Sequence, residues 1–204
     1  MRTEKGSLIV ISGPSGVGKS TVIAKAMEGL DNMVFSISAT TRRPRPGEQD
    51  GVHYYFVTGE KFDSMIKNGE LLEHAEYVGN HYGTPKAPIM ENLERGVSVI
   101  LDIEVQGAGQ VKRSMPDSVS VFILPPSFKE LEKRLRGRNQ DSEEKIKGRL
   151  QTARQECGHA GEYDYIIVND DVETAADELR SIIIAAGCMT KNRINTASDI
   201  FLEM

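Results

Sequence analysis

The stretch GPSGVGKS, Gly13 to Ser20, constrains this 204-residue chain more than any other. It follows SLIVIS, Ser7 to Ser12, an apolar β-rich run that reads as a strand buried on both faces of a parallel sheet. It precedes TVIAKAMEGL, a helical pattern. G-x-x-x-x-G-K-S between a strand and a helix is a phosphate site. Gly13, Gly16 and Gly18 permit backbone conformations that a Cβ would block, so several N–H groups can turn inward as an anion nest. The helix N-terminus adds its partial positive charge. Lys19 is placed to reach the β- and γ-phosphates of a bound nucleotide, and the Ser20 hydroxyl to ligate Mg²⁺. Ser15 and Thr21 join them as candidate ATP contacts.

Strands recur after this motif at α/β spacing. SVILDI (Ser98 to Ile103), SVSVFILP (Ser118 to Pro125) and YDYIIVN (Tyr163 to Asn169) are each followed by a helical stretch: Glu104 to Ser114, Ser127 to Arg138 and Asp171 to Met189. The last carries Ala175, Ala176, Leu179, Ile182, Ile183 and Ala186 as an apolar stripe of period 3.6, a core face. The pattern predicts an α/β fold, a P-loop doubly wound parallel sheet with its ligand at the carboxyl ends of the strands. Residues 1–33, 89–125 and 162–204 form the core in this reading. Residues 34–88 break the rhythm with VFSISAT, HYYFV, LLEHAEYV and NHYGT around one helix, GEKFDSMIKNG, and predict a small mixed-sheet insert. Residues 126–161 are charged and helical, and predict a lid.

Composition bounds the function. With 39% hydrophobic and 27% charged residues and no low-complexity tract, the chain reads as globular and soluble. A net charge of −5 argues against a broad nucleic-acid surface. The two cysteines, Cys157 and Cys188, and the four histidines show no metal spacing. The first residues are too polar for a signal peptide, and no apolar run approaches the roughly 18 residues of a membrane span. The expected setting is cytoplasmic, with neither nucleic acid nor membrane as partner, as a monomer or homodimer. The segment Thr190 to Met204 carries no assignment.

An acidic chain nevertheless concentrates Arg42, Arg43 and Arg45 in SISATTRRPRPGEQDGVHYYFV, beside hydroxyls and tyrosines. An acceptor monophosphate carries between one and two negative charges, and arginine forks bind phosphate oxygens in pairs. Together SISATTRRPRPGE, LLEHAEYVGNHYGTP, LDIEVQG, GRNQDSEEKIKGRL and IIVNDD resemble the guanylate kinases, in order, from about Leu8 to Gly187. The resemblance implies ATP-dependent conversion of GMP to GDP, with dGMP as a further substrate and Mg²⁺ as cofactor. It implies that Arg42, Arg45, Tyr54 and Tyr82 grip the acceptor phosphate, with Arg43 at the surface. Glu73 would accept from guanine N1–H and N2–H₂, and Ser38 and Thr84 would donate toward O6. Arg138 and Arg149 are the implied lid arginines; Arg134 and Arg154 read as solvated charges. Asp102 ends its strand where it could serve Mg²⁺ waters or the acceptor pocket. Asn169 stands where the family contacts adenine, and reads equally as a turn residue opening a helix. Two rival readings remain: a catalytically silent guanylate-kinase-like module that binds peptide, and a P-loop GTPase. The chain keeps Lys19, Ser20 and the lid arginines that a silent module could lose, and has no Asn-Lys-x-Asp motif.

Overall fold

A computed structural model describes residues 5–77, 79–137 and 142–202. In chain order the first half holds β1 (Leu8–Ser12), α1 (Lys19–Met27), β2 (Met33–Phe35), β3 (Ala39–Thr40), β4 (Tyr55–Phe56), α2 (Gly59–Lys67), β5 (Leu71–Tyr77), β6 (Asn80–Pro85) and α3 (Lys86–Glu94). The second half holds β7 (Ser98–Asp102), α4 (Val105–Ser114), β8 (Val119–Leu124), α5 (Phe128–Gly137), α6 (Glu143–Cys157), β9 (Tyr165–Val168), α7 (Val172–Gly187) and α8 (Thr190–Leu202).

All five residues of β1 are buried, because the strand lies in the middle of a five-stranded parallel sheet of order β2-β7-β1-β8-β9. Alternate side chains point to opposite faces. Ile9 and Ile11 meet α1 and the stripe of α7 (Ala175, Ala176, Leu179, Ile183, Ala186), with Ile182 at the margin. Leu8 and Val10 meet Ile89 and Leu93 of α3 and Ala108 and Val111 of α4. The predicted doubly wound core is therefore present, with helices on both faces. Residues 190–202 form the further helix α8, anchored where buried Asn192 donates to Ser7 Oγ at 2.9 Å and to the Ala186 carbonyl at 2.8 Å. Among the described residues no helix is long and apolar enough to cross a membrane.

A second sheet of four strands, order β4-β3-β6-β5, is mixed: β3 pairs parallel with β4 and antiparallel with β6. VFSISAT is not one strand of this sheet. Val34 and Phe35 lie in β2, which pairs with β7 in the core sheet, and the chain crosses to the small sheet only at Ala39. The small sheet is fastened to the core by α4. Gln110 accepts from the His74 N–H at 3.2 Å and donates to the His74 carbonyl at 2.9 Å, as a neighbouring strand would. Beneath it, α2 buries Phe62 and Met65 against Ala39 and is capped by Thr58, which accepts from Lys61 N–H.

Helices α5 and α6 pack on each other through Leu131, Leu135 and Ala153. They also rest on the phosphate loop: a Cβ on Gly16 (φ 90°) would stand 2.6 Å from Leu135 Cδ2. Gly13 is held more tightly still. It has φ 152°, and a Cβ there would stand 2.3 Å from the Ile123 carbonyl oxygen of β8, which is backbone and cannot yield. Gly13→Ala should therefore lower the unfolding free energy by at least about 2 kcal/mol, the range of strained or overpacked sites. Urea denaturation of the ligand-free protein measures it, and an unchanged midpoint would contradict the close approach.

Candidate active site

The loop after β1 passes into α1 through Gly18, a left-handed residue at the helix N-cap. The first-turn N–H groups of α1 face the loop, so anions are favoured there. Lys19 Nζ donates to the Gly13 carbonyl at 2.7 Å and lies 3.7 Å from Asp102 Oδ1. Strand register brings the two together: Ile11 is opposite Asp102 across the β1–β7 pair. Burial pushes the Asp102 carboxyl up from its ordinary value, and the Lys19 ammonium opposes that. A cavity of about 290 Å³ opens here, walled by Ser15, Lys19, Ser20, Asp102, Glu104 and Glu156.

A second cavity, of about 280 Å³, lies between the small sheet and the core. Ser38, Tyr54, Glu73, Tyr82, Asp102 and Glu104 line it. Asp102 and Glu104 thus belong to both walls. Glu73 is only 6% exposed, and Thr84 Oγ1 donates to its Oε1 at 2.5 Å. Burial pushes the Glu73 carboxyl up; the Thr84 hydroxyl opposes this, and the charge of Glu104 adds to it. Thr84 departs from expectation. It is fully buried, and its hydroxyl proton goes to Glu73, so it orients the carboxylate instead of facing the cavity. Gly107 of α4, also on the cavity wall, leaves room for the same carboxylate, since a Cβ there would stand 2.6 Å from Glu73 Oε2.

Arg42 lies at the edge of this cavity. Its guanidinium carbon is 5.3 Å from the Tyr54 ring centroid, and the Tyr54 and Tyr82 rings meet edge-on at 6.1 Å. The fork is engaged by Glu48, with Nη1–Oε2 at 2.9 Å and Nη2–Oε1 at 2.8 Å. That contact holds the Glu48 carboxyl down at about 2. The Arg45 side chain is exposed, as is that of Arg43. Arg149 of α6 is half-buried, and Arg138 lies outside the described residues. Thr21 is exposed in the first turn of α1.

Two more side chains differ from their reading in the sequence. Asn169 is 2% exposed, and its Nδ2 donates to the Val17 carbonyl at 2.7 Å. It braces the phosphate loop and does not face the nucleotide cavity. Arg134 is not a free surface charge, since its Nη1 donates to the same Val17 carbonyl at 3.3 Å. Arg154 is exposed, in keeping with its reading as a solvated charge, and lies over the Phe128 ring at 5.4 Å. The sequence also concealed Glu104 and Glu156. Glu104 is two residues beyond Asp102 in LDIE, and that spacing in extended chain is the only signal for it. Glu156, on α6, accepts the Ser15 backbone N–H and keeps Oε2 buried with no hydrogen-bond partner among the described residues, and burial pushes its carboxyl up. Nothing in the sequence near position 156 marks it.

A phosphate loop sharing a wall with a carboxylate- and tyrosine-lined cavity, with Arg42 at its edge, defines the class of P-loop phosphotransferases. The guanylate kinase family model matches residues 5–186. A guanylate kinase of Lactococcus lactis is 54% identical over 182 residues, 89% of each chain. One from Desulfitobacterium hafniense is 48% identical over 193 residues, covering 95% of this chain and 96% of its own. The crystal structure of guanylate kinase from Anaplasma phagocytophilum superposes with a TM-score of 0.76 at 40% identity, over 94% of this chain and 92% of that one. The chain belongs to the guanylate kinase family.

The buried carboxylates have a stability consequence. Glu73 has a raised carboxyl in the fold, so its charged form is disfavoured there. Its contribution is most favourable below the unfolded-state value of about 4.3 and is lost as pH rises through the higher folded value. Glu73→Gln keeps an acceptor for Thr84 and removes that cost. The ligand-free variant should melt higher than wild type at pH 7, with the difference vanishing below about pH 4. A lower Tm at pH 7, measured by calorimetry, would contradict this.

Proposed function

We infer that the chain catalyses ATP + GMP → ADP + GDP, with ATP in the cavity of the phosphate loop and GMP in the cavity of the small sheet. The observation that carries the assignment of sites is the shared wall. Asp102 and Glu104 line both cavities, so two phosphate-bearing ligands meet beside Lys19. The acceptor phosphate oxygen is already largely ionised at pH 7, its second pKa being about 6. No general base is required, and the work is positioning and charge stabilisation.

Each residue has a task in this reading. The loop N–H groups and Lys19 hold the β- and γ-phosphates of ATP. Arg42, Tyr54 and Tyr82 hold the GMP phosphate, joined by Arg45 when the acceptor is bound. Glu73 faces the guanine edge, where N1–H and N2–H₂ are adjacent donors, and Glu104 lines the same cavity from the core side as a second acceptor. Adenine offers a lone pair at N1, which a carboxylate repels. The 2′-hydroxyl has no assigned reader, so dGMP is a substrate. Arg149 and Arg138 come from the lid and stabilise charge on the transferring group. Mg²⁺ fits the donor cavity as an ion held mainly by nucleotide oxygens and water. Ser20 supplies a hydroxyl there beside Asp102 and Glu104, and the described residues contain no cluster of three or more metal-ligating side chains that would hold it unaided. Bound there, Mg²⁺ would supply positive charge that offsets the charge of the nucleotide phosphates.

The four common nucleoside monophosphates, each with ATP in a coupled assay, test the reading. GMP should be preferred over AMP by up to about 10⁴-fold in kcat/KM, as in sites built to pair with particular donors. Glu73→Gln should erase much of that ratio and leave the ATP KM unchanged; a preserved ratio would remove Glu73 from base recognition. Lys19→Ala should lower kcat by at least about 100-fold, the scale of one lost electrostatic contact to the transition state. Near-normal turnover in the folded variant would overturn the donor site.

A further inference from the structure

β5 is an outer strand of the small sheet, and it is irregular where it carries Glu73. Leu71 pairs with Pro85 and His74 with Gly83, so three steps along β5 match two along β6. Leu72 and Glu73 together stand across from Thr84. In a regular strand Glu73 would share the face of Leu71, two residues before it. Leu71 packs with Phe62 and Met65 of α2, but Glu73 does not follow it there. Leu72 packs with Ala108 and Val111 of α4. Glu73 also turns to α4, where a Cβ on Gly107 would stand 2.6 Å from its Oε2. Two consecutive side chains facing one helix is what a β-bulge produces, because the extra residue re-aims the side chains beside it.

A bulge needs support, since its extra residue drops out of the ladder and the partner strand fixes the register less firmly. Here the support comes from α4, on the open edge of β5. The Gln110 amide accepts the His74 N–H at 3.2 Å and donates to the His74 carbonyl at 2.9 Å. His74 is the first residue of β5 to regain its pairing after the bulge. One side-chain amide therefore takes both backbone groups of the residue that closes the irregular stretch. Gln110 lies off the wall of the small-sheet cavity, whereas Gly107, one turn before it on α4, lies on that wall. The helix that leaves room for the Glu73 carboxylate thus also holds the strand that presents it.

We propose that Gln110 is a positioning residue for base recognition: by clamping His74 it locks the bulge that aims Glu73 into the small-sheet cavity. This rests on the reading that Glu73 faces guanine. Without the clamp the extra residue can shift one place along β5, and a shift of one residue exchanges the faces of a strand. Glu73 would then turn to the α2 side with Leu71. The plain alternative is a joint that only fastens two layers. Leu72 already fastens β5 to α4 through apolar contact, and the two Gln110 bonds add direction and register, which apolar contact does not supply.

The experiment uses Gln110→Met, which keeps the reach of the side chain and removes both hydrogen bonds, and Gln110→Asn, whose amide stops one methylene short. It reads kcat/KM for GMP and for inosine monophosphate, which lacks the 2-amino group, together with the ATP KM and the hydrogen exchange of the His74 N–H. Both variants should lower the preference for GMP over inosine monophosphate by about tenfold, the scale of one hydrogen bond to a charged group. The His74 N–H should exchange faster, and an unchanged ATP KM shows that the core is intact. Equal losses for the two acceptors, or a raised ATP KM, would assign Gln110 a purely structural role and overturn the proposal. An unchanged preference would overturn it too. Glu73→Gln in the same assay tests the underlying reading separately: if the preference survives there, Glu73 is not the base reader, whatever Gln110→Met does. If it is lost there, adding Gln110→Met should lower it no further, because the two residues act as a unit. A further fall would show the clamp acting on something other than Glu73, and would overturn the proposal.

Discussion

The arrangement depends on one register, the parallel pairing of β1 with β7 that sets Ile11 opposite Asp102. β1 delivers the phosphate loop at its carboxyl end, and β7 delivers Asp102 and then Glu104 at the same level. Lys19 and Asp102 therefore stand 3.7 Å apart at the point where the phosphate-loop cavity and the small-sheet cavity join. Everything else positions ligands relative to that point. Asn169 and Arg134 fasten the loop through one carbonyl, that of Val17. Gln110 fastens the small sheet to α4, and so holds Glu73 across from Glu104. A slip of one residue in the β1–β7 pair would turn Asp102 to the other face of the sheet and separate the two sites.

The site is electrostatically demanding. Burial pushes up the carboxyls of Glu73, Asp102, Glu104 and Glu156, which together look onto the two adjoining cavities. Such groups are tolerated in a fold whose core is otherwise apolar, and they concentrate where ligands bring compensating donors or charge. In the proposed reading, guanine would bring two N–H donors to Glu73 and Glu104, and a metal ion would bring positive charge to the wall of Asp102. The acceptor loop solves the same problem in advance, since Arg42 is neutralised by Glu48 before any phosphate binds.

What the sequence revealed follows from what is local. The phosphate loop, the central strands and the stripe of α7 are set by contiguous residues and by period, and they were legible. The crossing from the core sheet to the small sheet was not. Val34 and Ala39 lie in one β-rich run, and only long-range pairing assigns them to different sheets. Thr84, Asn169 and Arg134 were legible as residue types but not as roles, because a hydroxyl, amide or guanidinium takes the partner that the fold offers. Thr84 found Glu73 across the β5–β6 pair, and Asn169 found Val17 from 152 positions away. The Arg42–Glu48 fork was within reach of the sequence, since only the five residues RPRPG separate the two, whereas Glu156 meets Ser15 purely through the docking of α6.

Asp102→Asn offers the most direct test of the juxtaposition at Lys19. The equilibrium dissociation constants of ATP and of GMP would be measured separately by titration, and kcat measured with both saturating. A side chain at the junction of the two sites acts in transfer more than in holding either ligand. The account predicts a fall in kcat of about 100-fold, with each dissociation constant changed by less than about tenfold. An unchanged kcat, or a loss confined to the binding of one nucleotide, would contradict it.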